Sequence, residues 1–286
     1  MKTNLLLLDS FKNMESLVAY AFSFSHRTNR QLKIIYVYDF DLMQHEHRVG
    51  STAEADPILA NIHEQAKKEF EDAEVRMSNV VSAYLKNHSV DVPVEIVASE
   101  EKRLAILDRE VRNNHEVVLL ISNIQHNAVA TGGALGYSNL IDSLRCPVFV
   151  IPEKTKYAAL QNITYATNFH PDDLSTINQV RELLHSNDMQ VTLLHNGKIA
   201  GSEEDLKLKE FLDLVERQTW FHSVNSVLMN EEDLLEAILD YMKESHVDLL
   251  VMLNEKKGFF KEIFKPSNTK DIITHINIPV LVYHEN

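Results

Sequence analysis

The 286-residue sequence predicts an α/β protein of two tandem doubly wound domains, each a five-stranded parallel sheet with helices on both faces. Three observations carry that reading. Short apolar runs and helical patterns take turns along the whole chain. The apolar runs hardly alternate polar with apolar, as suits strands buried on both faces. And the order of elements restarts near residue 160.

In the first half the strand candidates are NLLLLD (4–9), LKIIYVYD (32–39), VPVEIVA (92–98), EVVLLIS (116–122) and PVFVIP (147–152). Their counterparts are NITYATN (162–168), QVTLLHN (190–196), HSVNSVLM (222–229), VDLLVML (247–253) and IPVLVYH (278–284). SLVAYAFSFSHR (16–27) corresponds to LSTINQVRELLH (174–185), both apolar at helical spacing. ASEEKRLAILDREVRNN (98–114) corresponds to MNEEDLLEAILDYMKES (229–245), with the tetrad AILD at 105–108 and 237–240. Both place a Glu-Glu pair in the first turn, where the helix macrodipole favours acids. The halves differ most after their second strands. The first inserts residues 40–55 and a long helix, roughly 57–88, whereas the second has a shorter acidic helix near 202–217. The charged stretch EKTKYAALQ (153–161) is the expected linker between domains at 1–153 and 159–286.

A hydrophobic content of 44% with 24% charged residues fits a globular chain. No apolar run approaches the roughly 18–20 residues that span a bilayer. The leucines of MKTNLLLLDSF stop at Asp9, too soon for a signal peptide, so no membrane association is expected. Cys146 is the one cysteine, which excludes an internal disulfide framework and points to the cytoplasm. A net charge of −14 opposes nucleic acid as a partner. It leaves ATP open, because helix N-termini and backbone N–H groups hold phosphate without net positive charge.

The segment VDLLVMLNEKKGFFKEIFKPSNTKDIITHINIPVLVYH resembles the C-terminal signature of universal stress protein domains. In that family a G-x2-G pair ends the fourth strand, Gly-Ser or Gly-Thr opens the last helix, and a Pro-Val-Leu-Val strand closes the domain. LLLLDS (5–10) and YATNF (165–169) look like the family's first strand and its polar end, so the resemblance covers nearly the whole chain as two copies. It implies adenine-nucleotide binding, with ATP or AMP as ligand. The second half departs from the pattern: Leu253, Lys256 and Pro266 stand at the glycine positions, Asn168 replaces the acid, and Ser267 alone keeps the hydroxyl. Leucine and lysine add bulk where backbone must approach phosphate, and proline removes a donor.

The first half keeps more. Asp9 and Ser10 end the first strand, the Val37 backbone would lie beside the base, and Ser122 and Gln125 stand where the first glycine pair falls. Gly132, Gly133, Gly136, Ser138 and Asn139 precede the last helix as a strand–loop–helix cradle for phosphate. The same run also reads as a plain turn, its glycines serving positive φ and Ser138 or Asn139 capping a helix. By the same resemblance, 147–151 and 279–283 would pair as an internal pseudo-dimer, covering two sheet edges.

Other groupings read as structural. The histidines of HEH (45–47) lack further zinc ligands, so no metal is expected. Cys146 before Pro147 reads as a packed side chain, Trp220 and Phe221 as core or interface, and His195 and His284 as hydrogen-bonded strand-end groups. The leading expectation is a cytoplasmic stress-response regulatory binding protein with an adenine-nucleotide site in the first domain and no catalytic residues. Two alternatives stand beside it. One is a non-nucleotide interaction module whose unknown protein partner meets the second site and the 40–55 insertion; the other is a slow ATP hydrolase.

Overall fold

The computed structural model describes residues 2–37, 64, 67–68, 70–114, 116–123, 140–141, 143–152, 155–186, 188–197, 203–219, 221, 223–230, 234–255 and 277–285. The chain divides into two compact units, Met1–Cys146 and Pro147–Asn286.

The first unit runs β1 (Thr3–Leu8), α1 (Met14–Arg27), β2 (Gln31–Val37), α2 (Ala73–Asn87), β3 (Val94–Ser99), α3 (Arg103–Asn113) and β4 (Val117–Ser122). Its strands are parallel in the order β3-β2-β1-β4. All six residues of β1 and of β4 are buried, which is why both read as unbroken apolar runs. Edge strand β3 is only partly covered. Lys33 lies directly opposite Glu95 there, and its ammonium sits 3.0 Å from both Glu95 and Glu110. A charge at this place discourages pairing with a foreign strand.

Helix α1 buries Leu17, Val18, Ala21, Phe22 and Phe24 between the sheet and α2, where Phe22 stacks on Tyr84. Each large apolar side chain so buried contributes about 1.5–3 kcal/mol. Asn4 holds the far end of that helix to β1. Its buried amide donates to Ser25 Oγ at 3.0 Å and Thr28 Oγ1 at 3.1 Å.

The second unit runs β5 (Val148–Ile151), β6 (Asn162–Ala166), α4 (Asp173–Leu184), β7 (Gln190–Asn196), α5 (Glu203–Gln218), β8 (Ser223–Met229), α6 (Leu234–Glu244), β9 (Leu249–Asn254) and β10 (Val280–His284). Strands β8-β7-β6-β9-β10 are parallel, repeating the first unit's order. β5 is antiparallel to β10, with Val148, Phe149 and Val150 opposite Val282, Leu281 and Val280. That pairing places 147–152 in the second compact unit. Asp248 Oδ2 accepts from the Asn162 N–H at 2.8 Å and the Gln161 N–H at 3.1 Å, clamping the start of β6 to the start of β9.

One helix boundary differs from expectation. Glu100 and Glu101 lie before α3, not in its first turn, because Lys102 is extended (φ −55°, ψ 130°) and the helix begins at Arg103. Glu101 instead grips Arg109 Nη1 with both carboxylate oxygens, at 2.6 and 2.8 Å. Glu203, Glu204 and Asp205 do occupy the first turn of α5. The 40–55 insertion, and Glu231 and Glu232, lie outside the described residues.

Candidate ligand-binding site

In an open parallel sheet, connections leave on opposite sides where the strand order reverses, and a crevice opens there beyond the carboxyl ends. That point lies between β1 and β4 in the first unit and between β6 and β9 in the second. The β1–β2 register pairs Leu8 with Tyr36, so Asp9 and Val37 follow as neighbours. Leu6 pairs with Leu120, which brings Ser122 level with Leu8. Of the sequence-predicted residues, Asp9, Val37 and Ser122 are therefore set at neighbouring strand ends by register, and Ser10 follows Asp9 in the chain.

Their surroundings are polar and largely covered. Val37, Ser122 and Asn123 are buried, while Asp9 and Ser10 are half-buried. Ser10 Oγ accepts the Lys12 N–H at 3.1 Å, and Asn13 takes a left-handed turn (φ 57°) into α1. A carboxylate, two hydroxyls and an amide at one switch point suit the hydroxyls and ring edges of a nucleoside. Gly132, Gly133, Gly136, Ser138 and Asn139 fall outside the described residues, as does Gln125.

Sequence reasoning missed a contact beside these strand ends. Phe11 stacks on Tyr36 with centroids 4.6 Å apart and planes 5° from parallel, and the Arg76 guanidinium lies 4.9 Å over the Phe11 ring. The strand-end aromatics were visible in the sequence. Nothing in it tied them to Arg76, which lies in α2.

The second crevice is built differently. Asn168, at the position of Asp9, is exposed, and Leu253, level with Ser122, is buried. Its carboxylate is Asp173, in the first turn of α4 and 1% exposed. Asp173 accepts from Thr167 Oγ1 at 2.6 Å, Tyr165 Oη at 2.8 Å and the His170 N–H at 3.0 Å. Burial nevertheless holds the Asp173 carboxyl above its ordinary value, outweighing those donors. Burial, then Asp173 itself, pushes Tyr165 well above the ordinary phenol value.

Around this hub the loop after β6 is fixed. Phe169 adopts φ 59°, an uncommon state for a bulky residue, and its ring lies 4.3 Å from that of His195. His195 is buried, with Nδ1 2.9 Å from the Thr167 carbonyl. A Cβ on Gly197 would fall 2.9 Å from His195 Nε2, so the position leaves no room for a side chain without displacement. His170 Nδ1 accepts the Asp172 N–H at 3.2 Å and Nε2 faces Glu285 at 3.6 Å. Burial raises the nearby Glu255 carboxyl, and Asp173 and Glu285 push it the same way. This crevice is acidic and internally satisfied, an unfavourable setting for phosphate. Lys256, Pro266 and Ser267 lie outside the described residues.

Of the remaining candidates, Cys146 is buried and its thiol is pushed up to about 12, so it stays protonated. Phe221 is half-buried and His284 closes β10; HEH and Trp220 lie outside the described residues. Among the described residues no group of three metal-ligating side chains occurs, and no helix is long and apolar enough to cross a membrane.

Comparison with known proteins follows the same lines. Residues 196–284 match the universal stress protein family. No curated protein matches the chain. A universal stress protein from Archaeoglobus fulgidus DSM 4304 superposes with a TM-score of 0.64 at 11% identity, covering 99% of this chain and 98% of that one. A putative universal stress protein from Pseudomonas aeruginosa UCBPP-PA14 gives 0.52 at 11% identity, covering 99% and 93%. The chain thus carries a universal stress protein domain at 196–284, within a full-length fold like that of universal stress proteins.

Proposed function

We propose that the protein is a cytoplasmic stress-response regulator that works by binding an adenine nucleotide, ATP or AMP, in its first unit alone. The observation that carries this reading is the register-built cluster of Asp9, Ser10, Ser122 and Asn123 at the β1/β4 switch point. Asp9 would accept from the ribose hydroxyls, the Val37 backbone would meet the base edge, and the 132–139 loop would receive the phosphates. The second unit supports the scaffold: its crevice is occupied by the Asp173 hydrogen bonds and flanked by Glu255 and Glu285.

A hydrogen bond to a charged group is worth about 1.5–3 kcal/mol, so losing the Asp9 carboxylate should weaken a bound nucleotide about tenfold or more. The test is mass spectrometry of the purified protein for retained nucleotide, followed by ATP and AMP titration of the native chain and Asp9→Ala. Retained nucleotide or saturable micromolar binding, weakened in Asp9→Ala, supports the reading. Absence of saturable binding into the millimolar range overturns it, and phosphate release above background would make the protein a hydrolase.

A further inference from the structure

We infer that the first unit has a second ligand site, at the opposite pole of its sheet, for a small organic anion. A cleft of about 420 Å³ opens there at the amino ends of the strands. That volume is within the range of small-molecule sites. Its walls come from the residue before β1, the turn from α1 into β2, and the approach to β3.

The cleft's charge runs against that of the chain. Lys2, His26 and Arg30 line it against one acid, Asp91, on a protein whose net charge is −14. Arg30 is held in place by the backbone: Nη1 donates to the Glu116 carbonyl at 2.7 Å and to the Thr3 carbonyl at 3.5 Å. A guanidinium fixed in this way brings its charge to the cleft without first losing side-chain freedom. The turn that presents it is fixed too. Asn29 is left-handed (φ 51°), and the Arg30 N–H donates to the Ser25 carbonyl at 3.0 Å. Val92 and Pro93 form an apolar wall, and the amides of Asn29 and Gln31 add polar edges.

Basic residues at a helix C-terminus also complement its macrodipole, which accounts for His26. It does not account for Lys2 or Arg30, which lie outside the helix. Lys2 has a rival partner in Glu116 at 4.0 Å, but both side chains are about half exposed, so that pair yields readily to a ligand. The fitting ligand class is a carboxylate or phosphate ester with a short body, anchored by Arg30 and Lys2 against the Val92–Pro93 wall. The cleft shares no residue with the proposed nucleotide crevice, so either can fail without the other.

The test uses citrate and inorganic phosphate as probes, titrated by calorimetry into the full chain. Saturable binding is expected, tighter for citrate, whose body meets the apolar wall. Lys2→Gln should weaken it about two- to fivefold, and Asp91→Asn should tighten it by a similar factor, as partly exposed charges do. Both positions are exposed, so the fold tolerates either change. Arg30→Lys, which keeps a charge but loses the carbonyl hydrogen bonds that fix it, should weaken citrate more than Lys2→Gln does. Asp9→Ala should leave citrate affinity unchanged. Non-saturable binding, or insensitivity to both Lys2→Gln and Asp91→Asn, overturns the site.

Discussion

The two crevices of this protein occupy the same place in the same strand order, yet their polar groups are set on different elements. In the first, polar side chains gather at the strand ends, with Phe11 stacked between Tyr36 and Arg76 nearby. In the second, a carboxylate has moved from the strand end to the first turn of the following helix, where Met14 stands in the first unit. From there Asp173 satisfies the loop's own donors. The difference teaches that equivalent positions of one strand order can hold polar groups in quite different arrangements. An internal hydrogen-bond hub can take over the space and make it part of the fold.

That contrast can be broken most forcefully at the hub. Asp173→Ala removes the acceptor for the Tyr165 and Thr167 hydroxyls inside a buried site, and should cost about 2–4 kcal/mol in chemical denaturation. A loss below 1 kcal/mol would mean that the second crevice is not held by this residue. Next in size is Gly197→Ala, whose new methyl group would meet the buried His195 ring, for about 1–3 kcal/mol. Unchanged stability would show that the ring moves freely.

Ser122→Leu sharpens the comparison from the other side, since it puts the residue of the second crevice into the first. We expect nucleotide affinity to fall about tenfold with stability altered by less. Equal binding in the variant would remove Ser122 from the proposed site.

The smallest effect is on pH dependence. The Asp173 carboxyl holds its proton more tightly in the folded chain than in the unfolded one, because burial disfavours its charge. Its contribution is therefore full below the unfolded value and lost as pH rises through the raised folded one. The stability difference between the native chain and Asp173→Asn should be widest below about pH 4 and narrow toward neutrality. Denaturant titrations across that range check the sign, and a widening toward pH 7 would reverse it.

Much of this architecture was legible in the sequence because it rests on strand burial. Unbroken apolar runs such as LLLL and VVLLI have one stable use, in a sheet covered on both faces, and the repeat of their order gives the second unit. Asp9, Val37 and Ser122 were singled out by the family resemblance, and the strand register sets them at neighbouring strand ends. The hub was not. Asp172-Asp173 reads as ordinary first-turn acidity, and only the folded loop shows that the second of them turns inward onto Tyr165 and Thr167. Nor was the displacement of Glu101 legible, because it depends on Lys102 extending the chain by one residue before α3. The Arg76–Phe11 contact joins distant segments that no local pattern relates.

The central claim is that the two crevices are unequal as nucleotide sites. It is tested most directly by ATP titration calorimetry on the native chain, Gly136→Val and Pro266→Gly. The account predicts one nucleotide per chain, an affinity loss of about tenfold or more in Gly136→Val, and little change in Pro266→Gly. Two equivalent sites, or a site lost through changes at 253–267 alone, would contradict it.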